Sequence, residues 1–199
     1  MPRLKNHLLA RLQGIQQAAE DLQYTEADRD ELQIEDNCLY SHATAQFNYT
    51  TYDVQRGHDV IKSTSDKCDI MLASMEDEES GEPFWYARVC GIYHARVHHT
   101  PSNAKRKRIP FLFVRWFGQE PGWKCGDRYS RLHRVGFVPF DVEESSGPAF
   151  GFVDPATVIC ACHLIPAFSQ GKTEELLPVS RYRDLSGDYV NFYVNRCSS

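Results

Sequence analysis

The run Phe-Leu-Phe-Val-Arg-Trp-Phe at residues 111–117 restricts the fold of this chain more than any other feature. Alternate residues of an extended strand point to opposite faces, so Phe111 and Phe113 share one face, while leucine, valine and tryptophan side chains share the other. Because only Arg115 is polar, both faces must be covered by other parts of the protein. The run therefore predicts a strand in the interior of a sheet or barrel.

A second long strand is predicted just before it, at residues 84–97. Uninterrupted alternation would put one set of side chains on the same face: Tyr86, Arg88, Cys90, Ile92, His94 and Arg96. Gly91 marks a position at which a bulge or close packing is favoured. Shorter strands are predicted at 69–74, 132–140, 163–166 and 188–194, with one or two more within 38–61 and a turn at 56–58. This succession favours a small barrel or sandwich over a βαβ fold.

The start of the chain has a different pattern. Leucine and isoleucine recur at helical spacing over residues 3–19 and predict an amphipathic helix. A shorter helix is predicted from Thr25, whose hydroxyl can cap the first turn in a box-like pattern with Asp28, and it would end near residue 37. The predicted organisation is a helical segment of residues 1–37 followed by a β domain of residues 38–199.

Charge is distributed unevenly over a chain whose net charge is −5. Residues 1–87 carry 7 basic against 17 acidic side chains, residues 88–134 carry 11 against 2, and residues 135–199 carry 4 against 8. The excess of basic residues in 88–134 indicates contact with a polyanion. The alternative is that these residues balance the charge of the acidic parts of the chain within the fold. No membrane-spanning run or signal peptide is evident, and the seven scattered cysteines are typical of reduced thiols, which together predict an intracellular protein.

The strongest indication of function is a cluster of basic residues. The predicted nucleic-acid contacts are Lys105, Arg106, Lys107 and Arg108, followed by Arg128, Arg131 and Arg134. Side chains of this kind bind phosphates without reading the base sequence. The first four also resemble a minimal nuclear import signal, which predicts a nuclear location, with the cytoplasm as the alternative. A solvated loop with no ligand is the competing interpretation.

Other kinds of site receive little support from the residues. His94, His98 and His99 form one candidate metal cluster and Cys160, Cys162 and His163 another, but neither has the spacing of a zinc knuckle. Signature motifs for a nucleophilic serine or cysteine and for phosphate-binding glycine loops are missing from the sequence. We therefore expect no catalytic residues, no bound metal and no cofactor.

Aromatic residues near the predicted central strands offer a second kind of binding site. Trp85, Tyr86 and Trp116 are candidates for an aromatic cage, in which ring faces attract a methylated ammonium group. The alternative is that these rings pack in the core.

A series of motifs extends over nearly the whole chain. They lie at residues 48–53, 69–71, 85–89, 114–117, 131–138, 150–155 and 162–168. The series resembles the C-terminal region of uncharacterised proteins encoded by fungal Plavaka-type transposons, which are related to the Kyakuja–Dileera–Zisupton transposases. The resemblance implies an accessory module outside the catalytic core. The family pattern continues beyond residue 196, whereas this sequence stops at residue 199, so an inactive fragment is a further expectation.

A looser resemblance is to BAH domains, which are chromatin-reading β barrels. It is carried by the Trp-Tyr-Ala-Arg-Val run at 85–89, the acidic stretch before it and the Val-Arg-Trp-Phe run at 114–117. In readers of methylated lysine the tryptophan of the second run can line the cage, and it corresponds to Trp116. The position two residues later, often aromatic in those readers, is Gly118. The resemblance implies a BAH-like barrel that binds DNA or chromatin, or alternatively a histone tail or a transposase subunit.

Overall fold

The structure is a computed structural model, and it describes residues 1–15, 24–50, 56–65, 68–74, 83–100, 106–120, 122–125, 129, 131–140 and 148–195. The chain is mainly β, as the sequence predicted, with helices near its N-terminus. The two helices are α1 (Pro2–Gln13) and α2 (Glu26–Glu31). The strands are β1 (Leu32–His42), β2 (Ala45–Thr50), β3 (Arg56–Ile61), β4 (Asp69–Ala73), β5 (Phe84–His99), β6 (Lys107–Gln119), β7 (Arg134–Phe137), β8 (Phe150–Val153), β9 (Val158–Ala161), β10 (His163–Pro166), β11 (Lys172–Thr173), β12 (Asp188–Tyr189) and β13 (Phe192–Asn195).

The antiparallel pair β5–β6 forms the centre of the main sheet. On its outer side β5 pairs with β4 near its start and with β1 near its end. On its other side β6 pairs with β8 and then with β7. The central position predicted for β6 is confirmed, because it has partners on both sides and Phe111, Leu112 and Val114 are buried. Among the described residues the sheet does not close into a barrel.

Gly91 lies at a bulge that changes which side chains of β5 share a face. Val89 pairs with Val114 but Gly91 pairs with Phe113, so one extra residue lies between the two pairs. The predicted bulge is confirmed, whereas the uninterrupted alternation is wrong. Tyr86 packs with the cluster around Phe117, and Ile92 packs in a different cluster with Leu112 and Val114. A Cβ atom added at Gly91 would lie 2.3 Å from the ring of Tyr93, so a side chain does not fit there.

The first helix packs directly on the sheet. Leu4, Leu8 and Leu9 of α1 are buried against a cluster of β5 and β6 side chains that includes Phe111. The second helix begins at the predicted capping box, in which the Thr25 hydroxyl accepts a hydrogen bond from the backbone N–H of Asp28 and the Asp28 carboxylate accepts one from the backbone N–H of Thr25.

Several predicted boundaries are wrong. The second helix ends at Glu31, and residues 32–37 belong to strand β1, whose first three residues, 32–34, pair with the end of β5. The turn expected at 56–58 is the start of strand β3, which pairs with β2. The last predicted strand is divided into β12 and β13, and the short strands β8 and β9 were not predicted.

Two arginines are direct cross-strand neighbours in β5 and β6, Arg88 half-buried and Arg115 fully buried. Arg115 is fully buried, its Nη2 lies 2.8 Å from Oδ2 of Asp188, and its guanidinium lies 3.7 Å from the ring centre of Phe137. Arg88 donates hydrogen bonds of 2.8 and 3.0 Å to the two carboxylate oxygens of Asp69. Burial raises the pKa of Asp69, and the hydrogen bonds from Arg88 oppose that rise only in part. These ion pairs join β4 and β12 to the central strands.

Candidate functional site

The predicted basic cluster lies where β6 begins. Arg106, Lys107 and Arg108 are exposed, and the side chain of Arg106 is 72% accessible. Lys105 and Arg128 lie outside the described residues. Within the described part of the chain, Lys107 and Arg108 have no carboxylate partner.

A fourth cation extends this cluster onto the neighbouring strand. Arg96 of β5 is the direct cross-strand partner of Arg108, and its side chain is 54% accessible. Like charges directly opposite each other are destabilising in a sheet. We call Arg96, Arg106, Lys107 and Arg108 the basic end. An anion bound between the two cross-strand arginines would relieve their repulsion.

One carboxylate already lies against the basic end. Glu35 forms an ion pair with Arg106, and its Oε2 lies 3.5 Å from Nη1 of Arg96. It reaches them because β1 leaves its regular register between residues 34 and 39, where Asp36 and Asn37 have φ angles of 54° and 52°. Asparagine and aspartate tolerate this left-handed conformation better than most residues. Glu35 thus offsets part of the positive charge of the basic end.

Two histidines in contact lie beside the basic end. The Nε2 atom of His42 lies 2.7 Å from Nδ1 of His94, and the two rings stack with centres 4.9 Å apart. The ring of Tyr40 stacks on His94 as well, at 4.7 Å. Arg96 then lies 5.3 Å from the ring centre of Tyr40. We call His42 and His94 the imidazole pair. The sequence gives no sign of this contact, because the two residues lie 52 positions apart.

The structure places the later arginines far from this cluster. Arg134 is in β7, which pairs with the opposite end of β6. Twelve residue steps at ~3.3 Å separate the two ends of β6, a span of roughly 40 Å. Arg134 forms an ion pair with Glu120, and Arg131 and Arg134 lie 5.0 and 3.6 Å from the ring centre of Trp123. The predicted basic residues that the structure describes therefore form two separate groups.

The three candidate cage residues do not meet at one site. Trp85 and Trp116 pack edge to face with ring centres 6.1 Å apart, and both are half-buried. Tyr86 is the next residue along β5, and its side chain is buried with Met71 and Phe117 in another cluster. Two tryptophans packed edge to face are an ordinary core contact.

The candidate metal ligands of the two clusters lie in or beside strands β5, β9 and β10. Within the described ranges, no three histidine, cysteine, aspartate or glutamate side chains are grouped closely enough to hold a metal ion. Cys162 is buried, and His163 begins strand β10. His94, from the other cluster, contacts His42.

Comparison with known proteins identifies no relative. The chain matches no protein-family model, no curated protein sequence and no solved structure. In the part of the chain that the structure describes, no helix has both the length and the apolar character needed to cross a membrane.

Proposed function

We propose that this chain is a non-catalytic module that binds nucleic acid or chromatin through the basic end. The observation that carries the proposal is the direct apposition of Arg96 and Arg108 on adjacent strands, with Lys107 exposed beside them. A fold that holds like charges opposite each other accepts a cost that a bound polyanion would offset. Contacts to phosphates supply most of the affinity of nucleic-acid binding that does not depend on base sequence.

The proposal also covers the fold of the module, the protein that it serves and its cellular location. We take it to be a BAH-like β barrel that serves a transposon-encoded protein in the nucleus. The motif series in the sequence supports this assignment. Support also comes from the bulge in β5, because bulges bend strands and are common at the rims of barrels.

The first prediction concerns the unpaired cations. Replacing Lys107 and Arg108 together by alanine should weaken binding to a 20-base-pair duplex and reduce its salt dependence. If each side chain contacts one phosphate, the slope of log affinity against log salt concentration should fall by about 2. Fluorescence anisotropy of a labelled duplex over a range of salt concentrations measures both quantities.

The matched control for this variant is Arg56→Ala/Lys62→Ala, which removes the same charge from exposed positions in or just after β3. It should leave the slope nearly unchanged. Equal losses in the two variants would show that only net charge matters and would contradict the assignment of the site. Binding of a histone-tail peptide that is lost on replacing Trp85 and Trp116, with no duplex binding at low salt, would favour a protein-contact module instead.

A second prediction concerns the carboxylate that lies against the basic end. Glu35→Gln should strengthen duplex binding by about fivefold, because it frees Arg96 and Arg106 from an ion pair worth roughly 1 kcal/mol. Asp36→Asn removes the same charge from the next, exposed residue and keeps a residue type that tolerates a positive φ. An equal gain in both variants would refute a specific role for Glu35.

A further inference from the structure

We infer that the imidazole pair forms, together with Arg96 and Arg108, a phosphate-binding subsite that takes up a proton when the phosphate binds. The inference rests on the proposed function, because it concerns the same surface and the same class of ligand. It adds a named set of atoms and a dependence on pH, which the arginines alone would not produce, since they stay charged at every pH of interest.

The positions of the four side chains carry the inference. His94 is 7% accessible, with the rings of Tyr40 and His42 stacked against it. Tyr40 of β1 pairs with His94 of β5, two residues before β1 ends at His42. Arg96 lies two residues after His94 in β5, on the same face, and pairs with Arg108 of β6. Imidazole and guanidinium groups from three adjacent strands therefore meet at one end of the sheet.

The contact between the two rings determines where a proton would go. At 2.7 Å, one ring nitrogen must donate its N–H and the other must accept it. A neutral pair therefore has one proton in the shared bond and one on an outer nitrogen. After uptake of one proton, both outer nitrogens, Nδ1 of His42 and Nε2 of His94, carry N–H groups. The charged pair then has two donors for phosphate oxygens and a charge-assisted bond between its rings.

The surroundings of His94 favour its neutral form when no anion is bound. Burial of the ring, followed by the charges of Arg108, His42 and Arg96, lowers the pKa of His94. The carboxylate that reaches this region, Glu35, is held by Arg96 and Arg106. A phosphate at the subsite would reverse the local potential and raise the pKa of the pair. The affinity for phosphate is then lowest at a pH above the pKa of the pair in the phosphate-bound state. It rises as the pH falls through that pKa, and it levels off below the pKa of the pair in the free protein.

The experiment measures the affinity of the full chain for the 20-base-pair duplex at fixed salt concentration from pH 5.5 to pH 8.5. For each unit by which binding raises the pKa of the imidazole pair, the affinity at the acidic end of this pH range should increase by about tenfold. Calorimetry in two buffers of different ionisation enthalpy should show net uptake of up to about one proton per chain. His94→Gln and His42→Gln should each remove most of the pH dependence of the affinity. His58→Gln, at an exposed position of β3, should behave like the wild type.

The two possible failures differ in what is observed. Binding that is present but has the same pH dependence in His42→Gln, His94→Gln and the wild type would overturn the subsite and leave the proposed function standing. The absence of duplex binding at every pH and at low salt would overturn the proposed function itself. Because His42 is more accessible than His94, its variant provides the test if His94→Gln fails to fold.

Discussion

Replacing Asp188 by alanine should lower the free energy of unfolding by about 3–5 kcal/mol, which is the usual cost of leaving a buried charge without its partner. Arg115 cannot move its guanidinium to water, because it is fully buried in a central strand. Among the described residues, the guanidinium also donates a hydrogen bond of 3.1 Å to the carbonyl of Tyr182 and packs on the face of Phe137. Neither carries a full negative charge. Urea denaturation at 25 °C measures the loss.

Two further variants isolate the effect of the buried pair. Asp184→Ala removes a 62% accessible carboxylate that lies 3.9 Å from Lys172, and it should cost less than 1 kcal/mol. Arg115→Met/Asp188→Leu removes both buried charges and should recover most of the stability, because apolar residues of similar volume often replace such pairs at little cost. A loss in Asp188→Ala no greater than in Asp184→Ala would show that the interior pair does not stabilise the fold.

Replacing Leu8 by alanine should cost about 2–5 kcal/mol, the usual penalty for a cavity at a fully buried leucine. Leu8 has no accessible surface, and its side chain packs from α1 onto the β5–β6 pair. Far-UV circular dichroism and tryptophan fluorescence should follow one coincident unfolding transition, because the helix and the sheet share a core. Leu185→Ala is the control, since Leu185 is fully exposed and should change stability by no more than about 0.5 kcal/mol.

The Leu8 variant also tests the division of the chain at residue 37. If residues 1–37 were a separate unit, Leu8→Ala would remove the helical signal at low urea and leave the transition of the sheet where it is in the wild type. A single transition displaced to lower urea concentration would instead show that the N-terminal helix is part of the β domain.

The elements that could be predicted from sequence are those whose signals are local. The two-sided apolar run of β6 and the glycine in β5 indicated a central strand and a bulge, and both are present. The capping box at Thr25 depends on residues three positions apart, and it too is present. In each case the residues that determine the conformation are close neighbours in the chain.

Predictions failed where pairing with a distant segment decides the conformation. The apolar spacing around Leu32 also fits a helix, but these residues are a strand because β5 lies beside them. Lys107 and Arg108 precede the apolar run at 111–117, and their place in β6 depends on pairing with Val97 and Arg96 of β5. The contact between Glu35 and Arg106 was not predicted either, because it depends on the irregular register of β1 between residues 34 and 39.

The guanidinium of Arg88 lies 5.1–5.6 Å from the ring centres of Phe117, Phe137 and Phe192. This is the arrangement with which reader domains hold a methylated ammonium group, but here the cation belongs to the same chain. An external cation would have to displace the Arg88 guanidinium, which is part of the same chain and also donates two hydrogen bonds to Asp69. A tethered ligand of this kind acts at a high effective concentration. The site between the three phenylalanine rings is therefore already occupied by an arginine of the same chain.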